Sequence, residues 1–131
     1  MTAGTDFHAS IWATAEGLIG LRQALARWAA ETPLSEDRQE DLVLAAYEAM
    51  ANAAEHAYPG GDGGPLEITA VCGAEELRVV VVDQGRWKTP DPDETVRGRG
   101  RSMIGFLSDA SDVEHRDDGT TVTMWFTQPA R

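Results

Sequence analysis

The sequence is poor in cysteine, in positive charge and in long apolar runs. Cys72 is its single cysteine, so no intrachain disulfide can form and a cysteine-based zinc site is excluded. Against 22 Asp and Glu stand only 11 Lys and Arg, a formal net charge of −11. That balance repels nucleic acid and anionic membrane surfaces, which are met by net positive contact surfaces. No apolar run is long enough to span a bilayer. The first residues, Met1-Thr2-Ala3-Gly4-Thr5-Asp6, have neither the basic region nor the apolar core of a signal peptide. A cytoplasmic protein is expected, with no nucleic acid and no membrane among its partners. The histidines His8, His56 and His115 lack metal-ligand spacing, and no Ser/His/Asp set supports a hydrolase triad.

A chain of 131 residues fits one domain, 1–131, around one core of about residues 6–127. Four tryptophans in so short a chain predict large packing anchors or an exposed aromatic contact. Residues 6–13 roughly alternate and predict a strand. Glu16 to Ala30 predicts an amphipathic helix, with Leu18, Leu21, Leu25 and Trp28 at helical spacing, ended by Thr32-Pro33. Ser35 caps a second helix running to about Tyr58. Arg38 stands where a capping box has Glu, so only half of that motif is present.

Pro59-Gly60-Gly61-Asp62-Gly63-Gly64-Pro65 is a strong break. Leu66–Cys72 and Glu76–Val82 read as a hairpin. The unbroken Val79-Val80-Val81-Val82 predicts a central strand buried on both faces. Residues 86–99 have no periodicity and contain Pro90 and Pro92, the pattern of a functional lid or a linker. A short helix over about Ser102 to Ala110 is expected next. A strand Asp112–Arg116, a turn Asp117-Asp118-Gly119 and a closing strand Thr120–Thr127 complete the chain. The fold class is α+β: a two-layer α/β sandwich, a mostly antiparallel mixed sheet with helices on one face.

The second helix carries Glu48, Asn52, Glu55 and His56 in one sector, at about 100° per residue. Leu42, Val43, Ala46, Met50, Ala53 and Ala57 fall opposite. Polar stripes are usual on amphipathic helices. Here, however, Ala45, Ala49 and Ala51 border the stripe and are expected to leave space for a ligand. Asn52 is also a mediocre helix former in mid-helix, where Lys, Glu or Arg is usual. Oxygen ligands of this kind suit a hard cation such as Mg²⁺.

Asp83-Gln84-Gly85 follows the apolar strand directly. It places an acceptor at the end of a buried strand, with a glycine that permits close backbone approach; an ordinary turn explains the tripeptide as well. Gly98-Arg99-Gly100-Arg101-Ser102 opens a helix, whose N-terminal N–H groups attract phosphate. It is neither a Walker motif nor a dinucleotide fingerprint. Arg86, Lys88, Arg97, Arg99 and Arg101 put five of the 11 basic residues into sixteen positions. In so acidic a chain this points to an anionic ligand, with solvent-facing loop charge as the alternative. Gly119-Thr120 ends the last turn.

These four pieces in this order resemble the Bergerat ATP-binding fold, the GHKL superfamily of gyrase, heat-shock chaperone, histidine kinase and MutL ATPases. The wording Glu48-Ala-Met-Ala-Asn52-Ala-Ala-Glu-His56-Ala-Tyr58 is most similar to the anti-sigma factor serine kinases of the RsbW and SpoIIAB type. The resemblance implies ATP and Mg²⁺ as ligands. Asn52 would coordinate Mg²⁺, and Glu48 would orient or deprotonate a serine hydroxyl. Asp83 would accept from the adenine amino group, Gly85 would let the purine lie close, and Thr120 would complete the adenine end. Gly98, Arg99, Gly100, Arg101 and Ser102 would belong to a lid of about residues 86–100 and the helix start behind it. Arg22 falls near an arginine used in partner contacts.

The implied partners are a sigma factor and a STAS-type anti-sigma-factor antagonist; such proteins commonly dimerise. Two positions depart from the family pattern: Trp87 stands where a second glycine is frequent, and Arg101 where a leucine is. The expected activity is ATP-dependent phosphorylation of an antagonist serine, coupled to sequestering a sigma factor. The alternatives are an ATP-binding partner-switching module without efficient phosphotransfer, the catalytic domain of a sensor histidine kinase, and a metal-dependent hydrolase. The histidine kinase is disfavoured because no phosphoacceptor-histidine hairpin precedes the motifs.

Overall fold

Leu66, Ile68 and Ala70, Leu77, Val79 and Val81, and Val122, Met124 and Phe126 alternate with less buried residues along three strands. That period of two gives each strand one core-facing edge. The computed structural model describes residues 6–58, 60, 62–85 and 99–128, with the backbone alone for 99–102. Its elements are β1 (Phe7–Trp12), α1 (Ala15–Ala29), α2 (Glu36–Ala57), β2 (Pro65–Cys72), β3 (Glu76–Asp83), α3 (Arg99–Leu107), β4 (Ala110–Arg116) and β5 (Gly119–Thr127). The five strands form one sheet in the order β1-β2-β3-β5-β4. Every described pairing is antiparallel, so the mixed sheet expected from sequence is in fact uniform.

The three described helices lie against one face. Thr14 caps α1, its Oγ1 accepting from Gly17 N at 3.1 Å, and Ser35 caps α2, its Oγ accepting from Arg38 N at 3.2 Å. Leu18, Leu21, Leu25 and Trp28 of α1 and Leu42, Ala46, Met50 and Ala53 of α2 are buried against the sheet. Leu25, Leu42, Met50, Ile68 and Phe126 are 0% exposed; truncating one of them to alanine costs about 2–5 kcal/mol. Among the described residues no helix is long and apolar enough to cross a membrane.

Three expectations need correction. β3 is central, but only Val79 and Val81 are buried, while Val80 and Val82 face the open side at intermediate exposure. The described helices cover one face only, so the four-valine run lies in a half-covered strand. The last helix runs Arg99–Leu107 rather than Ser102–Ala110. It ends early because Asp109 N donates to Trp125 O, committing the next residues to the β4–β5 edge. Finally, Ala45 and Ala49 are fully buried and so leave no space for a ligand; Ala51 is at intermediate exposure. α3 packs on this side of α2, which narrows the accessible stripe to Glu48, Asn52 and their outer neighbours.

Candidate functional site

The α2 stripe divides by depth. Glu48 and Asn52, one turn apart, are half-buried, whereas Glu55 and His56 are exposed. The two half-buried residues are hard oxygen donors at the boundary between core and solvent. Five residues after Asn52, α2 ends at Ala57, against which Gly85 packs. A Cβ on Gly85 would run into the carbonyl oxygen and methyl of Ala57. The glycine is therefore fixed by the close approach of the Asp83–Gly85 turn to the end of α2.

Asp83 terminates β3 on the core side and is 2% exposed. Its Oδ1 accepts from Gly85 N at 3.1 Å and from Thr120 N at 3.2 Å. Two backbone donors on one oxygen fix the carboxylate and offset its desolvation. Thr120 is also 2% exposed and sits opposite Asp83 in the β3–β5 register. Its Oγ1 is hydrogen-bonded to His115 Nδ1 at 3.0 Å. Gly119, at φ 153°, has no room for a Cβ against the Asp83 carbonyl oxygen. The turn before β5 thus closes directly over the end of β3.

Tyr58 braces the same end. Its hydroxyl donates to Pro65 O at 2.6 Å and accepts from Gln84 N at 2.8 Å, while Gly64 lies against its ring. Burial pushes the phenol upward from its ordinary value of 10.0; the Gln84 hydrogen bond opposes this and the Asp83 charge adds to it. Tyr58, Gln84 and His115 carry this geometry yet had no role in the sequence reading. The signal available was Tyr58 closing the helical motif just before a glycine-rich break.

Of the other expected site residues, Arg99, Gly100, Arg101 and Ser102 form the first turn of α3, and only their backbone is described. Gly98 and residues 86–97 of the expected lid lie outside the described residues. Arg22 is not part of this arrangement. It stands on α1 with its guanidinium 5.1 Å from the centre of the Tyr47 ring, a cation–π distance. It lines a groove of about 470 Å³ with Ala26, Gln39, Glu40, Val43 and Leu44. A second cleft of about 500 Å³ touches Asp83 and Gly119 but is otherwise lined by Val82, Gln84, Arg116, Asp118 and Thr121. Val82 and Thr121 alternate with Asp83 and Thr120, so this cleft opens on the uncovered face of the sheet, away from α2.

Among the described residues no group of three His, Cys, Asp or Glu could hold a metal by itself. Glu48 and Asn52 nevertheless fit Mg²⁺, which is usually held by one or two protein oxygens together with phosphates and water.

Residues 11–126 match the family of histidine kinase-like ATPase domains. The crystal structure of the RsbU and RsbW domains of Rv1364c from Mycobacterium tuberculosis is similar to the chain, with a TM-score of 0.74 and 27% identity. The match covers 97% of this chain and 33% of that one, so the chain spans about a third of that protein's length. The five-stranded antiparallel sheet with helices packed on it agrees with that match. The chain belongs to the histidine kinase-like ATPase domain family, the ATP-binding GHKL or Bergerat fold, and within it is similar to the RsbW type.

Proposed function

We propose that the protein is an ATP-dependent serine kinase and anti-sigma factor, which phosphorylates a STAS-type antagonist and sequesters a sigma factor. The observation that carries this reading is the fixed Asp83 carboxylate. It is buried at the strand end, held by Gly85 and Thr120, and packed beside the end of the helix that bears Asn52 and Glu48. A carboxylate so placed accepts a hydrogen bond from the exocyclic amine of adenine and rejects the guanine oxygen at the same position.

Asn52, with Glu48 beside it, offers oxygen to Mg²⁺, which when bound would neutralise phosphate charge. The backbone N–H groups in the first turn of α3 would be the donors for the phosphates. Glu48 accepts the proton of the incoming serine as its Oγ bonds to the γ-phosphorus. The bond from that phosphorus to the bridging oxygen breaks, and ADP leaves.

The Arg22 groove supports the partner role. Leu44 in its wall lies one turn before Glu48 on α2, so a protein seated there reaches the face of the helix that carries Glu48. The RsbW domain in the similar structure supports the anti-sigma assignment.

The test is incubation with γ-labelled ATP, Mg²⁺ and a STAS-type antagonist. Label on an antagonist serine is expected. Stabilisation by ATP without transfer would favour the partner-switching module lacking phosphotransfer. A protein that ATP with Mg²⁺ fails to stabilise over GTP would overturn both; at a hundredfold excess over Kd the expected gain is about 2.7 kcal/mol.

A further inference from the structure

Arg38 breaks a local rule. It occupies the third helical position of α2, where a capping box has Glu and where the positive end of the helix dipole disfavours a cation. Its neighbours Glu36 and Asp37 obey that rule. The half-buried Arg38 side chain is spent on tertiary contacts instead. Nη1 donates to Asp41 Oδ2 at 2.8 Å and to the Leu107 carbonyl oxygen at 2.9 Å. Nη2 donates to Asp109 Oδ2 at 2.7 Å, and the guanidinium lies 5.5 Å from the centre of the Phe126 ring. The same Asp109 oxygen accepts from Thr127 N at 2.7 Å. One planar group therefore ties the start of α2 to the end of α3 and, through Asp109 and Phe126, to β5.

Leu107 O is one of the carbonyls that the end of α3 leaves without a helical partner. A guanidinium there satisfies the carbonyl and complements the negative end of the dipole. Ser108 reinforces the stop, its Oγ donating to Ile104 O at 2.7 Å. α3 has nine residues, a rod of about 13 Å. With its C-terminal end held at Arg38, its packing along α2 sets where the opposite end, beginning at Arg99, stands.

We propose that Arg38 is a positioning residue for the phosphate end of the nucleotide site, acting through α3 without touching the ligand. This rests on the ATP-binding reading above. Asp83 and Thr120, at the adenine end, are fixed by hydrogen bonds in which Arg38 takes no part. Losing Arg38 should therefore weaken recognition of the triphosphate and spare recognition of the base.

The test compares Mg·ATP and adenosine binding, and KM against kcat for transfer, in the wild type, Arg38→Ala and Arg38→Lys. In Arg38→Ala the Kd and KM for ATP should rise about tenfold, the scale of one lost charge-assisted hydrogen bond, with adenosine affinity unchanged. Arg38→Lys, which keeps a cation for Asp109 or Leu107 O, should recover part of the loss. If Arg38→Ala does not fold, Asp109→Asn replaces it: the amide oxygen still accepts from Thr127 N, the ion pair is lost, and the same split is expected. Equal loss of ATP and adenosine, or loss of neither, would overturn the proposal. A wild type that binds adenosine but gains nothing from the phosphates refutes α3 as the phosphate end. A wild type that binds neither refutes the proposed function, and the Arg38 role with it.

Discussion

The hydroxyl of Tyr58 at the end of α2 accepts the backbone N–H of Gln84 at 2.8 Å, joining the helix of Asn52 to the turn of Asp83. Tyr58→Phe removes that acceptor and the donor to Pro65 O, leaving both backbone groups without it. A loss of about 1–3 kcal/mol in unfolding free energy is expected, read by chemical denaturation. The pH dependence has a definite sign. The folded state holds the phenolic proton more tightly than the unfolded state. Tyr58 therefore contributes fully below its ordinary value of 10.0 and progressively less as pH rises through the higher folded value. The stability gap between wild type and Tyr58→Phe should narrow above that pH; a gap that widens there would contradict the assignment.

Gly85→Ala pushes a methyl into the carbonyl and side chain of Ala57. Overpacking of this kind costs about 1–3 kcal/mol. Ala57→Gly in the same chain relieves only the methyl half of the collision. The double variant should melt between Gly85→Ala and the wild type once the helix penalty of a glycine, measured in Ala57→Gly alone, is subtracted.

Asp83→Asn separates holding from recognition. An amide oxygen still accepts from Gly85 and Thr120, so the melting temperature should change little. The remaining NH₂ meets the adenine amine donor to donor, and ATP affinity should fall about tenfold to a hundredfold. Calorimetric titration with ATP and GTP decides it: an unaltered preference for ATP would remove Asp83 from base recognition.

Glu48 and Asn52 should part in their effects, though they are neighbours on one helix face. Asn52→Ala should abolish the Mg²⁺-dependent part of ATP binding in a protein that still folds. Glu48→Ala should bind ATP normally and lower transfer to the antagonist by about 10²–10⁴-fold, the range of a lost general base. Normal turnover in Glu48→Ala would leave it no role in proton transfer.

The sequence revealed element types well because the core strands and the two long helices have a clean period. β2, β3 and β5 alternate, α1 repeats Leu18, Leu21 and Leu25, and Ser35 marks the start of α2. Misreadings arose where a tertiary partner decided. The helical pattern of α3 runs past Leu107, but Asp109 is captured by β5 and by Arg38. Val80 and Val82 look like core residues, yet nothing in the chain's periodicity reveals that helices cover one face alone. Ala45 lies within the angular sector of Asn52 and His56, and only the docking of α3 on α2 shows that this part of the sector is closed. In the candidate site, side chains with conspicuous chemistry could be read from motif order. Two of the contacts that brace them, the Tyr58 hydroxyl on Gln84 N and His115 on Thr120, join residues whose spacing along the chain forms no motif.

Asp83 and Thr120 are bonded neighbours in adjacent strands, yet 37 positions of chain separate them. The entropy of closing such a loop grows only with the logarithm of its length, about 0.6 kcal/mol for each doubling. The stretch between Gly85 and Arg99 can therefore change length at little loop-closure cost to the pairing beneath it. On the proposed reading of the site, the length of the segment leading to its phosphate end is thermodynamically insulated from its base end. In the proposed site, changes of length between Gly85 and Arg99 would retune how a triphosphate is gripped while the Asp83–Thr120 pairing remains as it is.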